Sequence, residues 1–196
     1  MVEEKTLRSE TVYRGRIIQL RVDTVSGEGT ETKRREIVVH PGAAAIVAMT
    51  DESILMVEQY RKAVDAMTLE IPAGTIEAGE SPEECAAREL VEETGFRAAK
   101  LDKLIEFFPS PGISSEVIHI FKAGDLERVS ESEPELSVRF VPKDRIQDMI
   151  SNGELRDGKT LIGVLMALGQ PLSSSITTLH SLLILFTILL ISCLYA

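Results

Sequence analysis

From Val12 to Val25 (VYRGRIIQLRVDTV) polar and apolar residues alternate and β-branched side chains are frequent, which predicts strand with a break near Arg14-Gly15. Gly27-Glu28-Gly29 marks a turn. Arg35–His40, Ala43–Met49 and Ile54–Gln59 predict three more strands, the last two joined through Asp51-Glu52. Shorter strands fit Leu104–Phe108, Val117–Lys122 and Leu136–Val141, and helices fit Pro82–Thr94, Pro142–Ser151 and Asp157–Leu168. No internal repeat is visible. Strands surrounding a few helices, without regular βαβ alternation, predict an α+β fold rather than a doubly wound sheet.

The pattern changes at the C-terminus. Lys159 is the last Lys, Arg, Asp or Glu, and Ile176–Tyr195 reads as an apolar helix of about 20 residues, near the length that crosses a bilayer. This predicts a transmembrane helix attaching a cytoplasmic protein, tail-anchored, to the cytoplasmic face of a membrane. Pro171 and Ser173–Ser175 would form the hinge. Thr177, Thr178 and His180 shorten the strongly apolar part to about 15 residues. Packing of the tail on the domain, or an extension that adds nothing, therefore stays open. The N-terminus has no apolar h-region and is not a secretory signal. The organisation expected is residues 1–40 as N-terminal strands, 41–170 as the main domain and 171–196 as the tail.

A chain of 196 residues with a formal charge of −10 can build a substantial core and carries no basic face for nucleic acid. An acidic protein that handles phosphates needs imported positive charge, usually a metal ion. Cys85 and Cys193, the two cysteines, offer neither a disulfide framework nor zinc spacing, which fits a reducing, intracellular location.

The helix after Ser81 is the best-specified element. Ser81 caps it, Pro82 suits its first position, Glu84 completes a capping box and Gly95 stops it. Glu89, Glu92 and Glu93, spaced three and four apart, fall on one side, while Cys85, Ala86, Leu90 and Val91 face the other. Three like charges on one face repel, and a hard divalent cation would compensate them. A solvated acidic face with Arg88 and Arg97 as surface partners is the plainer alternative.

The spacing then decides between them. Gly74, Glu80, Arg88-Glu89-Leu90, Glu92-Glu93 and Gly95-Phe96 match the Nudix box GX5EX7REUXEEXGU, with U apolar, at every fixed position. The segment 74–96 therefore resembles the Nudix hydrolases, and the strand pattern extends the resemblance over roughly residues 10–168. The resemblance implies a mixed β-sheet core sandwiched by helices, and a loop–helix–loop at the box. It implies Glu89 and Glu93 as principal metal ligands, Glu92 as an additional one and the Ala73 carbonyl as a backbone ligand. Arg88 would orient carboxylates with Glu80, and Gly74, Gly79 and Gly95 would permit the loop geometry. The cofactor would be Mg²⁺, with Mn²⁺ as a substitute, serving pyrophosphate hydrolysis.

Phe-Pro-Ser-Pro-Gly-Ile-Ser-Ser-Glu at 108–116, Arg34-Arg35-Glu36 and Glu58-Gln59-Tyr60-Arg61 resemble segments of the ADP-ribose pyrophosphatase subgroup. That resemblance places Arg61 on substrate phosphate, Arg35 and Glu36 beside the nucleotide, and Ser110, Pro111, Gly112 and Glu116 near substrate. It draws the general base from the acidic loop Glu131–Glu135. Glu133 is the choice, with Glu135 or Glu131 as a metal-binding companion. It also implies a homodimer exchanging N-terminal strands. The expected reaction is ADP-ribose to AMP and ribose 5-phosphate. Another ADP-sugar or a dinucleotide is the alternative substrate, and a membrane-tethered sensor that binds ADP-ribose without turnover is the alternative from another class.

Overall fold

Successive side chains of a strand point to opposite faces, and along Ala43–Met49 both faces are apolar, which makes this strand the centre of the molecule. In the computed structural model, which describes residues 3–26, 31–129 and 136–169, Ala44, Ile46 and Ala48 pack with Leu55, Phe121 and the helix residues Cys85, Ala86 and Leu90. Ala45, Val47 and Met49 pack on the other face with Met56, Ile71, Ile120, Ile146, Met149 and Val164. Two helical layers therefore cover one sheet.

The strands are β1 (Thr6–Arg14), β2 (Gln19–Ser26), β3 (Thr32–Val39), β4 (Ala43–Met49), β5 (Ser53–Arg61), β6 (Ala66–Glu70), β7 (Ala73–Thr75), β8 (Phe96–Ala98), β9 (Leu101–Phe107), β10 (Ile118–Ala123), β11 (Leu126–Arg128) and β12 (Ser137–Pro142). The helices are α1 (Pro82–Thr94), α2 (Ile146–Ser151) and α3 (Gly158–Ala167), with a 3₁₀ turn at Lys143–Arg145 before α2. The main sheet runs β12-β5-β4-β10-β9, with β6 paired to β5 and β7 to β4. Only the β4–β10 pair in it is parallel, so the sheet is mixed. The expected α+β, helix-flanked mixed sheet is found.

Gly163 shows how closely α3 lies on the sheet. A Cβ there would stand 2.9 Å from Val47 Cγ2 and 3.0 Å from Ile71 Cδ1. Gly163→Val is expected to lose about 1–3 kcal/mol of stability by overpacking. A urea unfolding midpoint equal to that of the wild type would contradict this close approach.

The break expected near Arg14-Gly15 is found: β1 ends at Arg14, β2 starts at Gln19, and between them the Gly15 N–H donates to Ile18 O at 2.9 Å. Other sequence expectations need correction. The turn expected at Gly27–Gly29 lies outside the described residues. Strands β6, β7, β8 and β11 were not expected; β7, β8 and β11 have only three residues each, too few to show a period. The exchanged-strand homodimer is not supported, because β1, β2 and β3 pair with one another inside a single chain. The membrane attachment is corrected as well. The apolar tail 171–196 lies outside the described residues, and no described helix is long and apolar enough to cross a membrane.

Candidate active site

The loop and helix 74–95 form as their local chemistry dictates. Glu84 N–H donates to Ser81 Oγ at 3.2 Å and Ser81 N–H donates to Glu84 Oε2 at 2.8 Å, closing the capping box. Gly95 ends the helix in the left-handed conformation (φ 74°), its N–H donating to Val91 O at 2.8 Å. Cys85, Ala86 and Leu90 are buried on the sheet as expected, whereas Val91 is only half-buried. Burial pushes the Cys85 thiol up to about 12, so it stays protonated.

Arg88 is the hub. Its Nε donates to Glu80 Oε1 at 2.8 Å and its Nη2 to Glu80 Oε2 at 3.1 Å. Its Nη1 donates to Glu89 Oε1 at 2.7 Å and to Glu92 Oε2 at 3.1 Å. The guanidinium thus holds three carboxylates from the loop and the helix. Bidentate bonding from Arg88 keeps the Glu80 carboxyl down to about 2. A Cβ at Gly74 would lie 1.7 Å from Glu89 Oε1, so a side chain there would displace the Glu89 carboxylate.

Glu93 stands apart from that hub. It is 8% exposed and accepts the Ala73 N–H at 3.0 Å. Burial pushes its carboxyl up to about 7, with the Ala73 N–H and the charges of Arg61 and Lys159 pulling the other way. Among the described residues no group of three or more His, Cys, Asp or Glu side chains is arranged to hold a metal ion. The ready-made cluster expected from Glu89, Glu92 and Glu93 is therefore corrected. Arg88 gathers Glu89 and Glu92, and the backbone at Ala73 holds Glu93.

The residues expected on the substrate side fall in three places. Arg61, at the end of β5, donates from Nε and Nη2 to Glu70 at 2.8 and 2.5 Å. Ser110–Gly112 form a turn in which Ser110 O accepts from Ile113 and Ser114 at 3.1 and 2.9 Å. Glu116 faces His40 at 3.7 Å. Arg35 and Glu36 lie exposed on β3, with Arg35 paired to Glu4. Two sets of backbone bonds tie these parts together. Val38 N–H donates to Ile113 O at 2.8 Å and Ser115 N–H donates to Val38 O at 3.0 Å, joining β3 to the 110–116 turn. Ala43 N–H then bonds Val117 O at 3.0 Å and Ile76 N–H bonds Gly42 O at 3.1 Å. The turn and the 74–80 loop therefore meet at the start of β4. Glu131, Glu133 and Glu135 lie outside the described residues.

Sequence reasoning missed Glu70, which is 2% exposed. It accepts from Arg61, Thr68 and Lys159, and Lys159 also donates to Asp157 at 3.0 Å. An acid in the apolar run Leu69-Glu70-Ile71 could have been flagged as needing a cationic partner. Burial would raise the Glu70 carboxyl, but Arg61, Lys159 and Thr68 together hold it at about 2. Its contribution to stability is present above about pH 4.5, the unperturbed value, and is lost as pH falls toward 2. Glu70→Gln should therefore flatten the acid limb of the stability profile, where wild type loses roughly 2–3 kcal/mol. An unaltered limb in chemical unfolding at pH 2–5 would contradict the pairing.

A model of the NUDIX domain matches residues 39–161, and a model of the nucleoside diphosphate sugar hydrolase N-terminal domain matches residues 4–26. The chain belongs to the Nudix family. It is 41% identical over 170 residues to a methanol dehydrogenase activator of Bacillus methanolicus, covering 84% of this chain and 92% of that protein. It is 40% identical over 169 residues to an ADP-ribose pyrophosphatase of Bacillus subtilis, covering 83% and 91%. Its fold is similar to the crystal structure of an ADP compounds hydrolase (TM-score 0.76, 25% identity), covering 86% of this chain and 94% of that one.

Nudix membership implies a mechanism that depends on a divalent cation, and the residues of this Nudix segment suit one. Burial raises both the Glu89 and Glu93 carboxyls, and a cation beside them would favour their charged forms. Both are oxygen donors of the kind a hard cation takes.

Proposed function

We propose that this Nudix hydrolase splits ADP-ribose into AMP and ribose 5-phosphate, with Mg²⁺ as cofactor and Mn²⁺ able to replace it. What carries the reading is the folded Nudix segment, with Glu80, Glu89 and Glu92 gathered on Arg88 and Glu93 buried beside Ala73. The domain that does this work is residues 41–170.

Glu89 and Glu93 would hold the cation, with Glu92 as an additional ligand and the Ala73 carbonyl as a backbone one. When bound, the cation supplies charge neutralisation to the pyrophosphate and acidifies the attacking water. The chain's own groups do the rest. Arg88 keeps the carboxylates from dispersing between turnovers. Arg61 spends Nε and Nη2 on Glu70, and Nη1 has no protein partner among the described residues, which leaves that nitrogen for a phosphate oxygen. Ser110–Gly112 and Glu116 border the approach, and Arg35 and Glu36 take the nucleotide side. Water oxygen bonds to phosphorus as the P–O bridge breaks, and the proton passes to a carboxylate, assigned on family resemblance to Glu133, with Glu135 or Glu131 as its metal-binding companion.

Comparing kcat/KM for ADP-ribose, ADP-glucose, diadenosine diphosphate and ATP tests the assignment. ADP-ribose is expected to give the highest value with either cation. A higher value for ATP would move the chain to triphosphate hydrolysis, and one for ADP-glucose or the dinucleotide would replace the substrate.

A further inference from the structure

Glu70 sits at the junction of three elements. Oε1 accepts from Arg61 Nε at 2.8 Å and Thr68 Oγ1 at 2.6 Å, and Oε2 accepts from Arg61 Nη2 at 2.5 Å and from Lys159 Nζ. These bonds fill the acceptor sites of a carboxylate. Lys159 continues to Asp157, whose Oδ2 caps α3 by accepting Thr160 N–H at 3.0 Å and Thr160 Oγ1–H at 2.6 Å. Thr160 Oγ1 accepts Ile71 N–H at 3.0 Å. The chain from Glu70 through Ile71 and Pro72 reaches Ala73, which bonds Glu93. Arg61 and Lys159 balance Glu70 and Asp157, so the group is neutral overall, and Lys159 is only 11% exposed at its side chain.

A buried ion network of this kind is weak evidence for stability, since apolar residues of like volume often do as well. What it supplies is direction. A free arginine on the end of β5 would sample many rotamers, whereas Nε and Nη2 clamped on Glu70 fix the plane of the guanidinium. The fixed guanidinium carries Nη1 on a side chain that is 40% exposed.

We propose that Glu70 and Lys159 are positioning residues that orient Arg61 toward the substrate pyrophosphate. This rests on the reading of Arg61 as a phosphate contact. Lys159 acts through Glu70: without it the carboxylate has one cation fewer, can turn on its stem, and carries Arg61 with it. Neither residue touches substrate. The consequence is on binding, because a preoriented fork saves the entropy of ordering it when the phosphate arrives.

The test uses the full chain with Mg²⁺ and α,β-methylene-ADP-ribose, a non-hydrolysable probe, by titration calorimetry, alongside ADP-ribose kinetics at a temperature where each variant is folded by circular dichroism. Arg61→Ala, Glu70→Gln, Lys159→Met and Lys159→Arg are compared, with Thr68→Val replacing Glu70→Gln if that variant does not fold. Glu70→Gln is expected to raise Kd and KM about tenfold with kcat within about threefold, and to add little on top of Arg61→Ala. Lys159→Met should raise Kd about fivefold and Lys159→Arg restore it to within about twofold. If Arg61→Ala weakens the probe but Glu70→Gln and Lys159→Met bind as wild type, the positioning role is overturned while the phosphate contact stands. Additive losses in the Glu70→Gln/Arg61→Ala double variant overturn it in the same way. If Arg61→Ala itself binds as wild type, the phosphate contact falls and the positioning role with it.

Discussion

Glu93→Gln is expected to lower kcat for ADP-ribose by at least about a hundredfold while leaving the fold intact. The two halves of that result come from different features of one side chain. Glutamine keeps the shape and can still accept the Ala73 N–H, so the contact that pins the loop to α1 survives. It cannot supply the anion that a divalent cation needs. The pH dependence sharpens the expectation. Burial raises the Glu93 carboxyl to about 7, so in the cation-free protein the stability due to this group is complete below about pH 4.5. It is lost as pH rises through 7. That loss is bounded at about 3 kcal/mol, at 1.4 kcal/mol per pKa unit. Cation-free Glu93→Gln at pH 8 should therefore melt no lower than wild type. Added Mg²⁺ should raise the melting temperature of wild type more than that of the variant, by mass action on the folded state. Turnover near wild type, or a variant that melts well below wild type without cation, would remove Glu93 from the role given to it.

Arg88→Ala should be nearly as damaging, through another route. Arg88 is the only cation bonded to Glu80, Glu89 and Glu92 among the described residues. Removing it leaves three carboxylates facing one another, with Glu80 and Glu89 largely shielded from water. Like charges left without a partner repel and would open the loop between Gly74 and Glu80. We expect a melting temperature lower by about 5 °C or more and turnover lower by about a hundredfold. Arg88→Lys should recover only part of both, since an ammonium cannot fork across two carboxylates as a guanidinium does. Full recovery by lysine would show that charge alone, and not the forked geometry, organises the loop.

The parts of the molecule that were legible in advance are those governed by local rules. Helix α1 begins at Pro82 and ends at Thr94 as read from the sequence, because Ser81, Pro82, Glu84 and Gly95 each act within four residues of the helix ends. Strands β4 and β5 were legible because their runs are long. β7 was not: its three residues become a strand only through pairing of Ala73, Gly74 and Thr75 with Ala45, Ala44 and Ala43. Glu70 was missed for a related reason. Its partner Lys159 is 89 residues away in sequence, and no spacing rule reaches that far. The acids of α1 were found, but the bond from the Ala73 N–H to Glu93 was not. Helical periodicity places Glu89, Glu92 and Glu93 on one side without showing that Arg88 takes two of them and Ala73 the third.

The most direct test follows the phosphorus atoms of the substrate. The full chain is mixed with ADP-ribose and Mg²⁺ and watched by ³¹P NMR. The two diphosphate resonances should disappear together as those of AMP and ribose 5-phosphate grow in equal amounts, and excess EDTA should stop the change. Diphosphate resonances that shift on mixing but persist would mean that the protein binds ADP-ribose without cleaving it, and would contradict the hydrolase.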